Sequence, residues 1–334
     1  MTHALLVKMS SLGDIAHALP AVTDAARSGV RFDWVVEEAY APFVARHPAV
    51  RAVLPIAERR WRRHVGASLA EMRRFRQRLT AQRYDVVLDS QGLYKSALVA
   101  RLARGDRRVG FGRDSAREPL ATLLYDGCCS VDRNRHAIDR QRALFAQVFG
   151  YAVPEGLSYG LPAMPATADR VCVFVHGTTW ASKRYPLAFW RELAVLARSD
   201  DFRVVVTWGT DEERAVAEDL RKQGVEVWPH MGLAELIERL AGASLVIGVD
   251  TGLTHVAAAL EVPVVALFGS TDATLTGVRG HRAVTLAARK DCAPCLQQVC
   301  RFAAVPGTDV QPACYGTLAP PRVWSAAQHL LGPE

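Results

Sequence analysis

The chain has 334 residues, half of them hydrophobic and 22% charged, a globular composition that excludes a disordered chain. At about 150 residues per domain this length predicts two domains, with enough buried surface to need no disulfide. The longest apolar stretches, Ser244 to Val249 and Val262 to Phe268, fall far short of a bilayer span. Met1 to Lys8 reaches a charge after Ala4-Leu5-Leu6-Val7, unlike a secretory signal. The expectation is a cytoplasmic chain whose seven cysteines stay reduced.

The net charge of +7 is unevenly placed. Residues 1–160 hold 25 Lys and Arg against 16 Asp and Glu, a net of +9, and the remainder holds 16 against 18, a net of −2. Arg59-Arg60-Trp61-Arg62-Arg63, the arginines at 73, 74, 76 and 78, and the run from Arg101 to Arg117 carry much of the excess. Such asymmetry suits an anionic partner: nucleic acid, a membrane surface or a phosphorylated ligand. The arginines of the 68–83 segment serve equally well as a solvated helix face.

Taken in order, the first half predicts strands near Ala4–Lys8, Arg31–Val36, Ala52–Ile56, Asp85–Asp89 and Arg108–Phe111. Helices are predicted near Asp14–Arg27, Ser68–Gln82, Leu93–Arg104 and His136–Phe149. Tyr151 to Asp169, rich in Pro and Gly, reads as a linker between domains 1–160 and 161–334. The rhythm then restarts, with strands near Val171–Val175, Arg203–Trp208, Val225–Val227, Leu245–Val249 and Val264–Phe268. Helices alternate with them near Leu187–Arg198, Asp211–Lys222, Leu233–Leu240 and Leu253–Leu260. The fold class is α/β: two Rossmann-like, doubly wound domains facing a cleft.

No predicted strand is followed by G-x-G-x-x-G, and the chain lacks the P-loop, H-E-x-x-H and G-x-S-x-G patterns. Dinucleotide oxidoreductases, P-loop NTPases and zinc proteases therefore lose ground. Three loops at strand C-termini remain, where open α/β sheets bind ligands. The first is Lys8 to Asp14, with hydroxyls on Ser10 and Ser11 and with Gly13 allowing close approach or a positive φ. Asp14 there is either a helix N-cap or a carboxylate base for a hydroxyl nucleophile. The second is His176 to Pro186, where Gly177, Thr178, Thr179, Lys183 and Arg184 precede a helix and suit an anion. The third is Val249 to His255, where Thr251, Gly252 and the following helix N-terminus suit a diphosphate without a metal. Asp250 and His255 could instead cap and pack. Between these loops, the acids at 211 to 213 suit ribose hydroxyls or helix capping.

At "KMSSLGDIAHALPA", "HGTTWASKRYP" and "DTGLTHVAAAL" the chain resembles the heptosyltransferase family of inverting GT-B glycosyltransferases. "FDWVVEE", "RRWRR", "DSQGLYKSA" and "SAREPLATLLYD" are most similar to the branch that adds the first L-glycero-D-manno-heptose to the Kdo region of inner-core lipopolysaccharide. The resemblance implies Asp14 as catalytic base and Lys183 as the group neutralising the donor's diphosphate. It implies an ADP-heptose site at Thr178, Thr179, Lys183, Asp250, Thr251, Gly252 and His255, with Met231 near adenine and Asp211 or Glu212 on the ribose. Ser10, Ser11, Gly13, Arg60, Arg63 and Arg117 are the implied acceptor residues, for the phosphates and carboxylates of Kdo2-lipid A.

The implied reaction is an in-line displacement of ADP with inversion, on the cytoplasmic face of the inner membrane. It uses no cofactor and no metal, since no Asp-x-Asp motif adjoins the diphosphate loops, and nucleic acid is not expected as a partner. Cys292, Cys295, Cys300 and Cys314 depart from that branch's pattern and read as structural, zinc being the weaker reading. They keep the second and third heptosyltransferase branches open as alternatives, beside another GT-B nucleotide-sugar enzyme such as a 2-epimerase. A non-catalytic binder of anionic lipid or nucleic acid would explain the basic half but leave the second domain's loops without a purpose.

Overall fold

The computed structural model describes residues 1–162, 169–305, 308 and 310–332. It separates into two compact units, Met1–Pro162 and Ala163–Glu334. Part of the expected linker, 163–168, lies outside the described residues.

The first unit is a six-stranded parallel sheet in the order β3-β2-β1-β4-β5-β6. Its strands are β1 (Thr2–Val7), β2 (Val30–Glu37), β3 (Val50–Ile56), β4 (Arg83–Asp89), β5 (Arg104–Phe111) and β6 (Gly127–Cys129). The second unit repeats the plan in the order β12-β11-β10-β7-β8-β9. Its strands are β7 (Val171–Val175), β8 (Arg203–Val206), β9 (Glu226–Val227), β10 (Leu245–Val249), β11 (Val264–Phe268) and β12 (Ala283–Ala287). The inner strands β7, β10 and β11 are apolar and buried along their whole length. That is what a parallel strand covered by helices on both faces requires, in place of an alternating pattern.

Aromatic side chains tie the helices to the sheets. Trp61 and Phe75 pack with Leu5, Val7, Val35 and Val87 in the first unit. Trp190 meets Phe174 and Tyr185 at ring-centroid distances of 4.9 and 5.3 Å in the second. Truncating a buried tryptophan of this kind typically removes about 3–5 kcal/mol. Trp34 is fully buried, and its indole N–H donates to the Lys8 carbonyl at 3.0 Å, which anchors the end of β1.

Each sheet reverses its winding once, between β1 and β4 in the first unit and between β7 and β10 in the second. Loops leaving the strand ends part at such a reversal and open a ligand crevice. All three loops singled out in the sequence leave β1, β7 or β10.

The edge strands β6 and β12 escape the sequence reading because they are short or half-exposed and carry no long apolar run. The helix expected over Leu93–Arg104 spans Tyr94–Leu102, because β5 already begins at Arg104. The terminal helix Pro320–Leu331 was not anticipated.

Candidate functional site

In the first unit the loop after β1 turns into the helix Leu12–Arg27, with Ser11 as N-cap and Asp14 at its third position. Asp14 is therefore not the cap residue. Its Oδ2 accepts from the Ser11 backbone N–H at 3.0 Å and hydroxyl at 2.8 Å, and Oδ1 has no partner among the described residues. Burial works to raise the carboxyl, but the Lys8 ammonium, both Ser11 donors and His17 outweigh it and hold Asp14 below the usual range. Lys8 is itself buried, which lowers its pKa, and its Nζ donates to the Ser90 carbonyl at 3.3 Å. Gln91, in the loop after β4, accepts from the backbone N–H groups of Met9 at 2.7 Å and Ser10 at 3.3 Å. It thereby joins the loops on both sides of the winding reversal.

These groups line a cavity of about 500 Å³. Among the described residues Asp14 is its one carboxylate, set among Lys8, Arg59, Arg117, Arg133 and Arg140, with Ser10, Ser11 and Gln91 adding neutral donors. Anionic ligands suit it. Gly13 lies in the first helical turn without a positive φ, so the left-handed conformation expected of it is not used.

The three arginines expected for the acceptor are not brought together. Arg117 lines the cavity, whereas Arg60 pairs with Glu38 at 3.2 Å and Glu71 at 2.9 Å beside a separate depression. Arg63 is exposed and does not line the cavity. Trp61 sets this arrangement: its ring is buried and its N–H donates to Glu71 at 2.9 Å, which fixes the rotation of the helix Glu58–Arg63. Neighbouring helical residues face about 100° apart, so Arg59 reaches the cavity and Arg60 does not. Arg59, Gln91, Arg133 and Arg140 were missed; the buried indole was the available signal for Arg59.

In the second unit Asp250, just past β10, is the hub. Its Oδ2 meets the Lys183 ammonium at 2.7 Å and accepts from the Thr271 hydroxyl at 2.6 Å, while Oδ1 lies 3.5 Å from His255 Nε2. Burial raises the carboxyl, and His255 and Lys183 together outweigh that and depress it far below its ordinary value. The Thr178 hydroxyl donates to the Asp250 carbonyl at 3.3 Å, spanning the reversal between β7 and β10. The helix Gly252–Ala259 follows, and Thr251 at its N-cap makes no side-chain capping bond, so the positive end of the helix suits an anion. Lys183 also lies over the Trp180 ring at 4.7 Å. Thr178, Lys183, Asp250, Thr251, Gly252 and His255 thus share one end of the sheet.

Thr179 is exposed, and Met231 packs half-buried on the core. Among the acids after β8, Glu213 is taken up in a capping box with Thr210, its Oε2 accepting from Gly209 N–H at 2.8 Å. Gly177 makes room for it, since a Cβ there would lie 2.3 Å from Glu213 Oε1. Glu212 is exposed and pairs with Arg184 at 2.9 Å, and Asp211 stays exposed in the first turn. Thr271 was missed; its position just past the end of β11, beside β10, was the signal.

Cys292, Cys295, Cys300 and Cys314 are free thiols around one void of about 20 Å³. Among the described residues no three His, Cys, Asp or Glu side chains are arranged to hold a metal ion. The same segment buttresses the Lys183 turn: Ser182 N–H donates to the Gln298 carbonyl at 3.0 Å, and its hydroxyl to the Gln297 carbonyl.

Two Rossmann-like units, one with a helix end that no side chain caps and the other with a basic cavity around a carboxylate, fit a group-transfer enzyme for anionic substrates. The model of glycosyltransferase family 9 (heptosyltransferase) matches residues 72–305, and the chain belongs to this family. It is 45% identical to lipopolysaccharide heptosyltransferase 1 of Pseudomonas aeruginosa, over 99% of this chain and 98% of the relative. Among solved structures it is similar to Escherichia coli heptosyltransferase WaaC with ADP, at 40% identity and a TM-score of 0.81, covering 86% of this chain and 93% of that one. The same enzyme with ADP-2-deoxy-2-fluoro heptose matches with equal identity and coverage at a TM-score of 0.78.

Proposed function

We propose that the chain transfers L-glycero-D-manno-heptose from ADP-heptose to a Kdo hydroxyl of Kdo2-lipid A in the lipopolysaccharide inner core, with inversion. The observation that carries this reading is the Lys183–Asp250–His255 group at an uncapped helix end, in a chain so similar to heptosyltransferase 1 and to a structure holding ADP. The second unit holds the donor. Lys183 and the first N–H groups of the helix beginning at Gly252 meet the charge that develops on the leaving diphosphate, where one such preorganised donor contributes about 2.7–4 kcal/mol. Thr178, Thr179 and Thr251 supply hydroxyl donors, Met231 lies at the adenine, and Asp211 or Glu212 takes the ribose.

The first unit holds the acceptor. Asp14, kept ionised by Lys8 and Ser11, accepts the proton of the Kdo hydroxyl as its oxygen attacks the anomeric carbon. Ser10, Ser11, Arg117 and Arg59 bind the acceptor's phosphates and carboxylates, and arginine's planar fork suits both groups. No helix among the described residues is long and apolar enough to cross a membrane; the enzyme works peripherally on the cytoplasmic face of the inner membrane, where its lipid acceptor is embedded. The test is mass spectrometry of Kdo2-lipid A incubated with the purified chain and ADP-heptose. Addition of one heptose supports the reading; release of ADP with the acceptor unchanged overturns it.

A further inference from the structure

One side of the first unit keeps large apolar side chains in water. On the helix Tyr94–Leu102, Tyr94, Leu98 and Leu102 recur at four-residue spacing, hence on one face, and are 50%, 41% and 50% exposed. The 3-10 helix Pro119–Leu124 packs alongside. Its Leu120 and Leu123, eclipsed at three-residue spacing, are 66% and 79% exposed. Isolated exposed hydrophobes are ordinary, but five on two adjoining elements make a patch of the kind that marks an interaction surface.

A third element extends the pattern and gives it a charge. The helix Val65–Thr80 contacts the Tyr94–Leu102 helix. Val65 and Leu69 are exposed on it, and exposed Arg73 and Arg76 continue the same face one and two turns on. Arg101 and Arg104 are exposed at the far end of the Tyr94–Leu102 helix. The patch also adjoins the basic cavity, because Leu93 and Arg117, which precede its two rows, both line that cavity. The two segments are joined there: Tyr94 N–H donates to Glu118 Oε2 at 2.6 Å, and Glu118 N–H to the Gly92 carbonyl at 3.0 Å.

We infer that this face docks the chain on an anionic lipid bilayer. The leucine rows enter the interfacial layer and the arginines lie against the headgroup phosphates, so that the cavity rim meets the membrane surface. Apolar rows alone would suit a protein partner equally well; the flanking arginines select anionic lipid. Apolar insertion and basic attraction reinforce each other in such binding. The lipid-embedded acceptor proposed above gives the surface its use, but the surface can be tested without that acceptor.

The experiment is co-sedimentation of the full chain with phosphatidylcholine vesicles that contain or lack phosphatidylglycerol. The wild-type chain should bind the anionic vesicles only. Leu98→Gln/Leu120→Gln/Leu123→Gln should weaken that binding on the order of tenfold or more, while keeping the wild-type melting temperature and transfer to a delipidated Kdo acceptor. If the triple variant fails to fold, Leu123→Gln alone carries the test and should weaken binding measurably. Wild-type binding that is absent, or unaffected by these substitutions, overturns the inference, as does a wild-type dimer that the triple variant converts to monomer. A wild-type chain that transfers heptose but does not bind the vesicles condemns the surface alone; a wild-type chain that binds the vesicles without transfer to any acceptor condemns the proposed reaction alone.

Discussion

The contact between Lys183 and Asp250 sets up a double-mutant test of the donor site. At an effective dielectric of about 20, unit charges at the observed 2.7 Å attract by roughly 6 kcal/mol, much of which desolvation offsets. Lys183→Ala removes the cation that would meet the diphosphate, a charge-assisted hydrogen bond of about 1.5–3 kcal/mol. It also leaves the Asp250 carboxylate, buried and held ionised by His255, facing an incoming anion, which adds about 1–2 kcal/mol of repulsion. ADP binding should therefore weaken on the order of 10²- to 10⁴-fold.

Adding Asp250→Asn to Lys183→Ala removes the repelling charge and should restore roughly tenfold of the lost affinity. Asp250→Asn alone should leave ADP binding near wild type but lower the melting temperature by roughly 10 °C, since breaking a buried pair costs about 3–5 kcal/mol. Because the folded-state pKa of Asp250 is depressed, its stabilisation is present above the unfolded-state pKa of about 3.9 and is lost only as the pH falls through the lower folded value. Isothermal titration of ADP into wild type, both single variants and the double variant measures the cycle, with thermal melts confirming the fold. A double variant that binds ADP no better than Lys183→Ala would refute the reasoning.

Other outcomes follow from the first unit and from the capping box. Asp14→Asn should lower turnover by roughly 10²- to 10⁴-fold with ADP affinity unchanged; more than half of wild-type turnover would remove Asp14 as the base. Because Lys8 and Ser11 hold Asp14 ionised, the acidic limb of kcat/KM should lie below the pH of an ordinary aspartate near 3.9, activity being lost as Asp14 takes up a proton. Arg59→Ala and Arg117→Ala should each raise the acceptor KM without changing ADP affinity, whereas Arg60→Ala, whose partners Glu38 and Glu71 are on the surface, should leave KM within about twofold; steady-state kinetics that reverse this ranking would move the acceptor to the other depression. Gly177→Ala should displace Glu213 from its cap and cost about 0.5–2 kcal/mol in thermal melts, a loss that Glu213→Ala should absorb; additive losses would show that the close approach is immaterial.

What could be read in advance depended on how local the signal was. The runs that became β7, β10 and β11 were visible because a strand covered on both faces must be apolar throughout. The loops after β1, β7 and β10 could be singled out because strand ends in such sheets hold ligands. The phase of the helix Glu58–Arg63 could not be read, since choosing between Arg59 and Arg60 required knowing that Trp61 is buried against the sheet and bonded to Glu71. Nor could the identity of the cap beside Asp14: Ser11 and Asp14 bond each other, and either could have led.

The unread contacts share a cause. Lys8 to Ser90 and Met9 to Gln91 each join residues 82 apart, Thr178 to Asp250 joins residues 72 apart, and Thr271 to Asp250 joins residues 21 apart. The first three cross the β1/β4 or β7/β10 reversal, and the last links the neighbouring ends of β10 and β11. These strand ends meet only through the winding order of the sheet, so the pairing of their side chains is a property of topology and has no periodic trace along the chain. The two carboxylates show the consequence. Asp250 directly follows its strand and Asp14 sits in the first turn of the helix that follows β1, and Asp250 is closed in by Lys183, His255 and Thr271 while Asp14 keeps one oxygen open to a basic cavity. Those surroundings are what the proposed roles need, a proton acceptor at Asp14 and a partner that holds the Lys183 cation at Asp250, and strand order is what makes them differ between two residues of the same type.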